Sequence, residues 1–181
     1  MPDKEREALD RAQAADLGLD PDSYLRSLVT DLAGVLQDVV GLQEASGFIS
    51  IVGQRIGDEF SQKYRTVFGT DALSRPQVAA ALVDLKRRVE GQFYVIEQGD
   101  SKIVFGNRAC PFGDKVIGRP SMCMMTSNVF GALAARNLGY AKVEIQKAIA
   151  DGDPECRVVV HLTLSGESDD TPGREYFRTG A

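Results

Sequence analysis

Residues 140–162 read YAKVEIQKAIADGDPECRVVVHL. Two runs of alternating apolar residues flank Asp151-Gly152-Asp153-Pro154, a cluster of the residue types that turn a chain back on itself. Pairing Ile149 with Cys156 across that turn places Val143, Ile145 and Ile149 on one face with Cys156, Val158, Val160 and Leu162. This is the core side of a half-buried antiparallel hairpin. Lys147 falls on the same face, which points to an irregular register there. His161 alternates onto the opposite face and reads as a surface strand residue.

A second hairpin lies upstream, where FYVIEQ, GD and SKIVFGN (93–107) turn around Gly99-Asp100. With Gln98 and Ser101 flanking the turn, Tyr94, Ile96, Ile103 and Phe105 share a face. A loop and a helix connect the two hairpins. Pro120-Ser121 opens that helix, Met125, Val129 and Leu133 form its buried face, and Gly139 stops it after about Asn137.

The first half of the chain changes to the helical period. Residues 3–16 are charged and Ala-rich, a marginal helix. Asp22 or Ser23 caps a second helix with Leu25, Leu28, Val29, Leu32, Val35, Leu36 and Val39 on one predicted buried face, and Gly41 stops it. A third helix from about Gln43 to Phe68 carries Phe48, Ile49, Val52, Ile56, Phe60, Tyr64 and Val67. Gly47, Gly53 and Gly57 interrupt it, each costing about 1 kcal/mol relative to Ala, so Gly53-x-x-x-Gly57 reads as tight helix packing. SRPQ at 74–77 is a capping-box start, followed by a stripe of Val78, Leu82, Leu85 and Val89. Lys86-Arg87-Arg88 reads as a solvated face.

These periods define an α+β fold class: N-terminal helices packed with an antiparallel sheet of two hairpins joined by a loop and a helix. Residues 1–21 are a helical extension, 22–164 a single domain, and 165–181 a mobile tail in which Tyr176 and Phe177 can dock locally. The 43% hydrophobic content is that of an ordinary globular chain. A net charge of −5 and a pI near 5.0 argue against a nucleic-acid partner. No apolar run approaches the roughly 18 residues that span a bilayer, and MPDKEREALD is no signal peptide. Three cysteines without secretory features imply reduced thiols in the cytoplasm.

Trp is absent and His161 is the single histidine, so histidine-dependent triads and metal sites have little to work with. No phosphate-cradling loop or catalytic carboxylate pair can be assembled, which favours a binding role over an enzyme. The chemistry concentrates in the cysteines. Cys110 sits in a Cys-Pro-Phe-Gly turn just past a strand. Cys123 lies in the first turn of a helix, where the dipole favours a thiolate. Cys156 opens a strand on its core face. One end of the sheet can gather all three, and three uses stay open: ligands of a zinc or iron centre, a redox device, or small core residues. Asp114, Asp153 and Glu155 are the nearest carboxylates for a fourth ligand. Met122, Met124 and Met125 offer an adaptable lining for a small apolar ligand, or simply the buried face of their helix.

The stretch 110–160, from CPFG through SMCMM to GDPECRVVV, resembles the methanogen output domain and, more distantly, the 4-vinyl reductase-like domain. GFISIVGQRIGDEF (47–60) is similar to the Gly-rich helix of that superfamily, and the resemblance covers roughly residues 22–164. It implies an α+β ligand-binding fold, 4-vinyl reductase-like, in a non-enzymatic sensory or regulatory domain. Domains of the vinyl-reductase type are typically dimeric, bind small hydrophobic molecules and often hold a structural zinc. Their zinc site has a second cysteine eight positions before the closing one. Cys156 matches the closing ligand, but the earlier position is Ala148 here, while Cys110 and Cys123 belong to the output-domain version. The expectation is therefore a cytoplasmic homodimer for signalling, with a small apolar ligand and a signalling protein partner. Cys110, Cys123 and Cys156 are its candidate metal or redox-responsive site. The alternative is a thiol-dependent redox switch or enzyme using Cys123 as the reactive thiol.

Overall fold

Local capping chemistry sets most of the helix boundaries in the computed structural model, which describes residues 3–18, 20–164 and 171–178. Helix α1 spans Asp3–Ala14. Asp20, not Asp22 or Ser23, caps α2 (Pro21–Val40): its carboxylate accepts from the Asp22 and Ser23 N–H groups at 2.9 and 3.0 Å. Gly41, at φ 85°, breaks the chain between α2 and α3 (Leu42–Phe68), a conformation other residues rarely adopt. Helix α4 (Arg75–Arg88) starts with the predicted Ser74/Gln77 capping box, and Gln77 Oε1 accepts the Ser74 N–H at 2.8 Å. Helix α5 runs Cys123–Leu138, after a short 3-10 turn at Pro120–Met122.

The strands are β1 (Phe93–Gln98), β2 (Lys102–Asn107), β3 (Tyr140–Lys147), β4 (Cys156–His161) and β5 (Arg174–Phe177). They form one antiparallel sheet in the order β1-β2-β4-β3-β5. The two hairpins join through β2 and β4. The edge strand β5 comes from the segment expected to be a mobile tail. Of that tail, 165–170 and 179–181 lie outside the described residues, whereas Arg174–Phe177 pair with Tyr140–Val143.

Bulges move the register of both hairpins. Val143 pairs with Val160 and Ile145 with Val158, but Lys147 pairs with Arg157 across an irregularity. Ile149 has left the strand for a 3-10 turn. The predicted faces of β3 and β4 hold; the Ile149–Cys156 pairing does not. In the first hairpin a bulge between Val95 and Glu97 shifts the core face of β1 to Phe93, leaving Ile96 exposed and Tyr94 half-buried. Ile103 and Phe105 are buried as expected. His161 is on the predicted face yet only 8% exposed, its Nε2 3.1 Å from Glu144 Oε2.

Helix α5 packs on β3 and β5 with one side and against α3 with the other. Phe130 anchors it edge-on to Phe93 and Phe105, with centroids 5.3 and 5.1 Å away. The α3 face that meets α5 is built from Ser50, Gly53, Gly57 and Ser61. A Cβ on Gly53 would lie 2.7 Å from Asn128 Cβ, and one on Gly57 2.6 Å from Ala132 Cβ. The glycine spacing thus serves close helix approach, as the sequence indicates.

The large apolar residues follow a different rule from the one their periodicity predicts. Helix α2 buries Thr30, Ala33 and Gly34, while Leu32, Val35 and Val39 are 61%, 61% and 76% exposed. Phe48, Ile51 and Val52 of α3 also face outward. The inner contacts need short side chains: Arg119 lies over Gly34, its Nε 2.6 Å from where a Cβ would stand. The apolar stripe is real, but among the described residues nothing covers it.

Candidate functional site

The elements that carry the three cysteines meet where α4, β2, β4 and the start of α5 come together. Cys110 follows β2 in a turn closed by Gly113 N–H on the Cys110 carbonyl at 2.9 Å. Cys123 is the first residue of α5, and Cys156, the first of β4, pairs with Asn107. All three line one small cavity of about 40 Å³, so the convergence expected from the sequence is present. The thiols are unpaired.

The residue that sequence reasoning missed is Lys86. It belongs to the basic run read as a solvated face, yet it is only 7% exposed and lines the same cavity. Its Nζ donates to Thr126 Oγ1 at 2.8 Å and lies 5.4 and 5.5 Å from the Phe93 and Phe130 ring centroids. The signal was in the spacing. Val78, Leu82 and Lys86 recur every four residues, so they share one helical face.

Burial acts on each group in turn. It pulls Lys86 from its ordinary 10.5 down to about 8, against the opposing pull of Cys110, Cys123 and Cys156. It pushes the Cys123 thiol up to about 12, with Cys156, Asp151 and Cys110 adding to the rise. This overturns the expectation that a helix start makes Cys123 a thiolate: removal from water outweighs the helix dipole. Burial also raises Cys110, and the Phe112 N–H pulls it partly back. Cys156 has a different setting. Its Sγ accepts from the Ile149 N–H at 3.5 Å and from Asn107 Nδ2 at 3.8 Å.

The carboxylates considered as further ligands are used elsewhere. Asp153 Oδ2 accepts the Ala148 N–H at 2.9 Å, ordering the Asp-Gly-Asp-Pro turn. Glu155 Oε2 accepts from Tyr94 Oη at 3.2 Å, and Asp114 is exposed in a 3-10 turn. Ala148, where the vinyl-reductase zinc site would need a cysteine, is a buried part of the cavity wall. Among the described residues no group of three His, Cys, Asp or Glu side chains is arranged to hold a metal ion. The residues present therefore do not fit that zinc site.

A second, larger space adjoins the first. An apolar groove of about 530 Å³ runs between α2, α3, α4 and the Cys-Pro-Phe turn, lined by Leu25, Ile56, Phe60, Leu85 and Val89 among others. Lys86, Pro111 and Phe112 line both spaces. Arg26 ties the start of α2 across it, donating to the Pro111 carbonyl at 3.0 Å and to Glu90 Oε2 at 2.7 Å. Of the three methionines expected to line a ligand site, Met122 borders the small cavity and Met125 the groove.

One antiparallel sheet, a buried helix laid across it and an outer helix layer define the class of this protein: an α+β domain with the fold of trafficking particle subunits. The crystal structure of a trafficking protein particle complex subunit 3 from Naegleria fowleri, covalently bound to palmitic acid, matches with a TM-score of 0.53 and 14% identity. It covers 78% of this chain and 96% of that one. The chain belongs to the methanogen output domain 1 family, whose model matches residues 28–161. No curated protein matches it. No helix among the described residues is long and apolar enough to cross a membrane.

Proposed function

We propose that this chain is a sensory or regulatory domain that binds a small apolar ligand in the groove beside the thiol cavity. The observation that carries this reading is the groove itself. Its volume, about 530 Å³, lies within the roughly 300–1,000 Å³ of small-molecule sites, and such sites join apolar walls to a few polar groups. The palmitic acid held by the Naegleria fowleri protein of the same fold supports an elongated apolar ligand. A neutral fluorescent probe, N-phenyl-1-naphthylamine, tests it. Saturable micromolar binding that is lost in Phe60→Asp, with the far-UV spectrum unchanged, is expected. Absence of saturable binding to the wild-type chain overturns the reading.

The uncovered stripe on α2 and α3 supports a homodimer joined through that face, since contiguous exposed apolar surface marks interaction sites. A second reading makes the thiols themselves the responsive element. Their shared cavity favours it, with Cys156 as the reactive sulfur because it accepts two hydrogen bonds while burial keeps Cys123 protonated. Zinc or iron on Cys110, Cys123 and Cys156 draws support from the same convergence, but an ammonium lining the cavity opposes a cation there. Metal analysis of protein purified without chelator separates the two.

A further inference from the structure

Lys86 is a buried ammonium without a carboxylate. Its Nζ carries three donors, of which one reaches Thr126 Oγ1. Among the described residues it takes part in no ion pair. No Asp or Glu lines the small cavity, and Asp151 acts on Cys123 from outside that lining; Asp22 and Glu90 line the groove that Lys86 also borders, Glu90 being held by Arg26 at 2.7 Å. The aromatic rings beside it stabilise a cation only weakly, and Cys110 and Cys123 are kept protonated by burial. Such a group calls for a counter-charge, and strongly perturbed ionisable groups in clefts cluster at functional sites.

The geometry points to Lys86 as the docking point for the head group of an amphipathic monocarboxylate whose apolar body lies in the groove. Three observations converge on this assignment, which rests on the groove being the ligand site. Lys86 stands in the wall common to groove and cavity, with Pro111 and Phe112. The cavity, about 40 Å³, exceeds the roughly 10–15 Å³ that a single water needs, so it has room for a small polar group. Its remaining polar groups, the Asn107 amide and the Cys110 and Cys123 thiols that burial keeps protonated, can donate to a carboxylate oxygen. A cationic or neutral head would leave the ammonium unpaired, so the site selects by charge as well as by shape.

Decanoate, decanol and decyltrimethylammonium displacing N-phenyl-1-naphthylamine provide the test, with wild type, Lys86→Met and Lys86→Gln. A charge-assisted pair in a partly dry site is worth at least about tenfold in affinity. Decanoate is expected to bind the wild type that much more tightly than decanol, and decyltrimethylammonium more weakly than either. Both variants are expected to lose the preference for decanoate while binding decanol as before. Equal decanoate affinity in wild type and either folded variant overturns the head-group assignment and leaves the groove reading standing. Failure of all three ligands and the probe to bind the wild type overturns the groove reading, and the assignment with it.

Discussion

Replacing Lys86 by Met gives a stability signature that depends on pH and needs no ligand. The folded chain holds Lys86 near 8, against 10.5 in its ordinary state. Below pH 8 both folded and unfolded chains carry the proton, so the folded state bears the whole cost of a buried ammonium. Between 8 and 10.5 the unfolded chain keeps a proton that the folded chain has released, and stability therefore rises with pH. Above 10.5 the group is neutral in both states and the cost is gone. At about 1.36 kcal/mol per pH unit of pKa difference, that cost is roughly 3 kcal/mol. Met has no such term, and it leaves only the Thr126 hydroxyl without its donor, a loss of about 1 kcal/mol. Lys86→Met is thus expected to exceed the wild type by about 2 kcal/mol at pH 7. The gap closes and reverses towards pH 10.5. Cys110 and Cys123, raised by burial, make both proteins less stable as pH rises above their ordinary range, and their contribution cancels in the difference to first order. Urea unfolding followed by far-UV circular dichroism, in reducing buffer at pH 7, 8.5 and 10, measures it. A difference that stays constant with pH would refute the placement of the ammonium in a dry site.

Three further outcomes are expected. Gly57→Ala puts a Cβ 2.6 Å from Ala132 Cβ; overpacking of about 1–3 kcal/mol outweighs a helix gain of about 1 kcal/mol, so thermal unfolding shifts down, and adding Ala132→Gly recovers part of the loss. At pH 8 a thiol with a pKa of about 12 is a thiolate in only about one molecule in 10⁴, so iodoacetamide followed by peptide mass mapping labels Cys123 far more slowly than the unfolded chain; rapid labelling at Cys123 contradicts its burial. Leu32→Glu with Val35→Glu leaves the fold intact and converts a dimer to a monomer in light scattering after gel filtration; a wild type that is already monomeric removes the dimer proposal.

The sequence carried the architecture well where local chemistry and periodicity agree. The capping box at Ser74, the stops at Gly41 and Gly139 and both hairpins are set by neighbours a few residues away, and these appear as read. What failed depends on partners far along the chain. The apolar positions of α2 have helical spacing, but periodicity cannot say whether this chain or another molecule covers them. The bulge at Ile96 changes the core face of β1 with no residue announcing it, whereas the irregularity next to Lys147 moves only the end of the second hairpin, and Lys147 on a core face was its warning. Convergence of Cys110, Cys123 and Cys156 could be anticipated from three element ends. Lys86 could not be separated from Arg87 and Arg88 by composition; its place on the Val78–Leu82 face was the available clue, and charge masked it. For Cys123 the helix dipole favours a thiolate, but burial, which no local sequence pattern displays, is the larger effect.

The strand β5 sets a limit on how this domain can be moved between proteins. Sequence likeness to the family ends at residue 161, but Tyr176, beyond that boundary, sits over Gly131, where a Cβ would come within 2.0 Å of its ring. Its hydroxyl lies 2.9 Å from Ser127 Oγ, and its strand closes the free edge of β3. A fusion assembled from the matched span alone would carry an open notch in the buried helix and an unpaired strand edge, a template for association with other chains. The stretch by which the family is recognised is thus shorter than the stretch needed to complete its sheet.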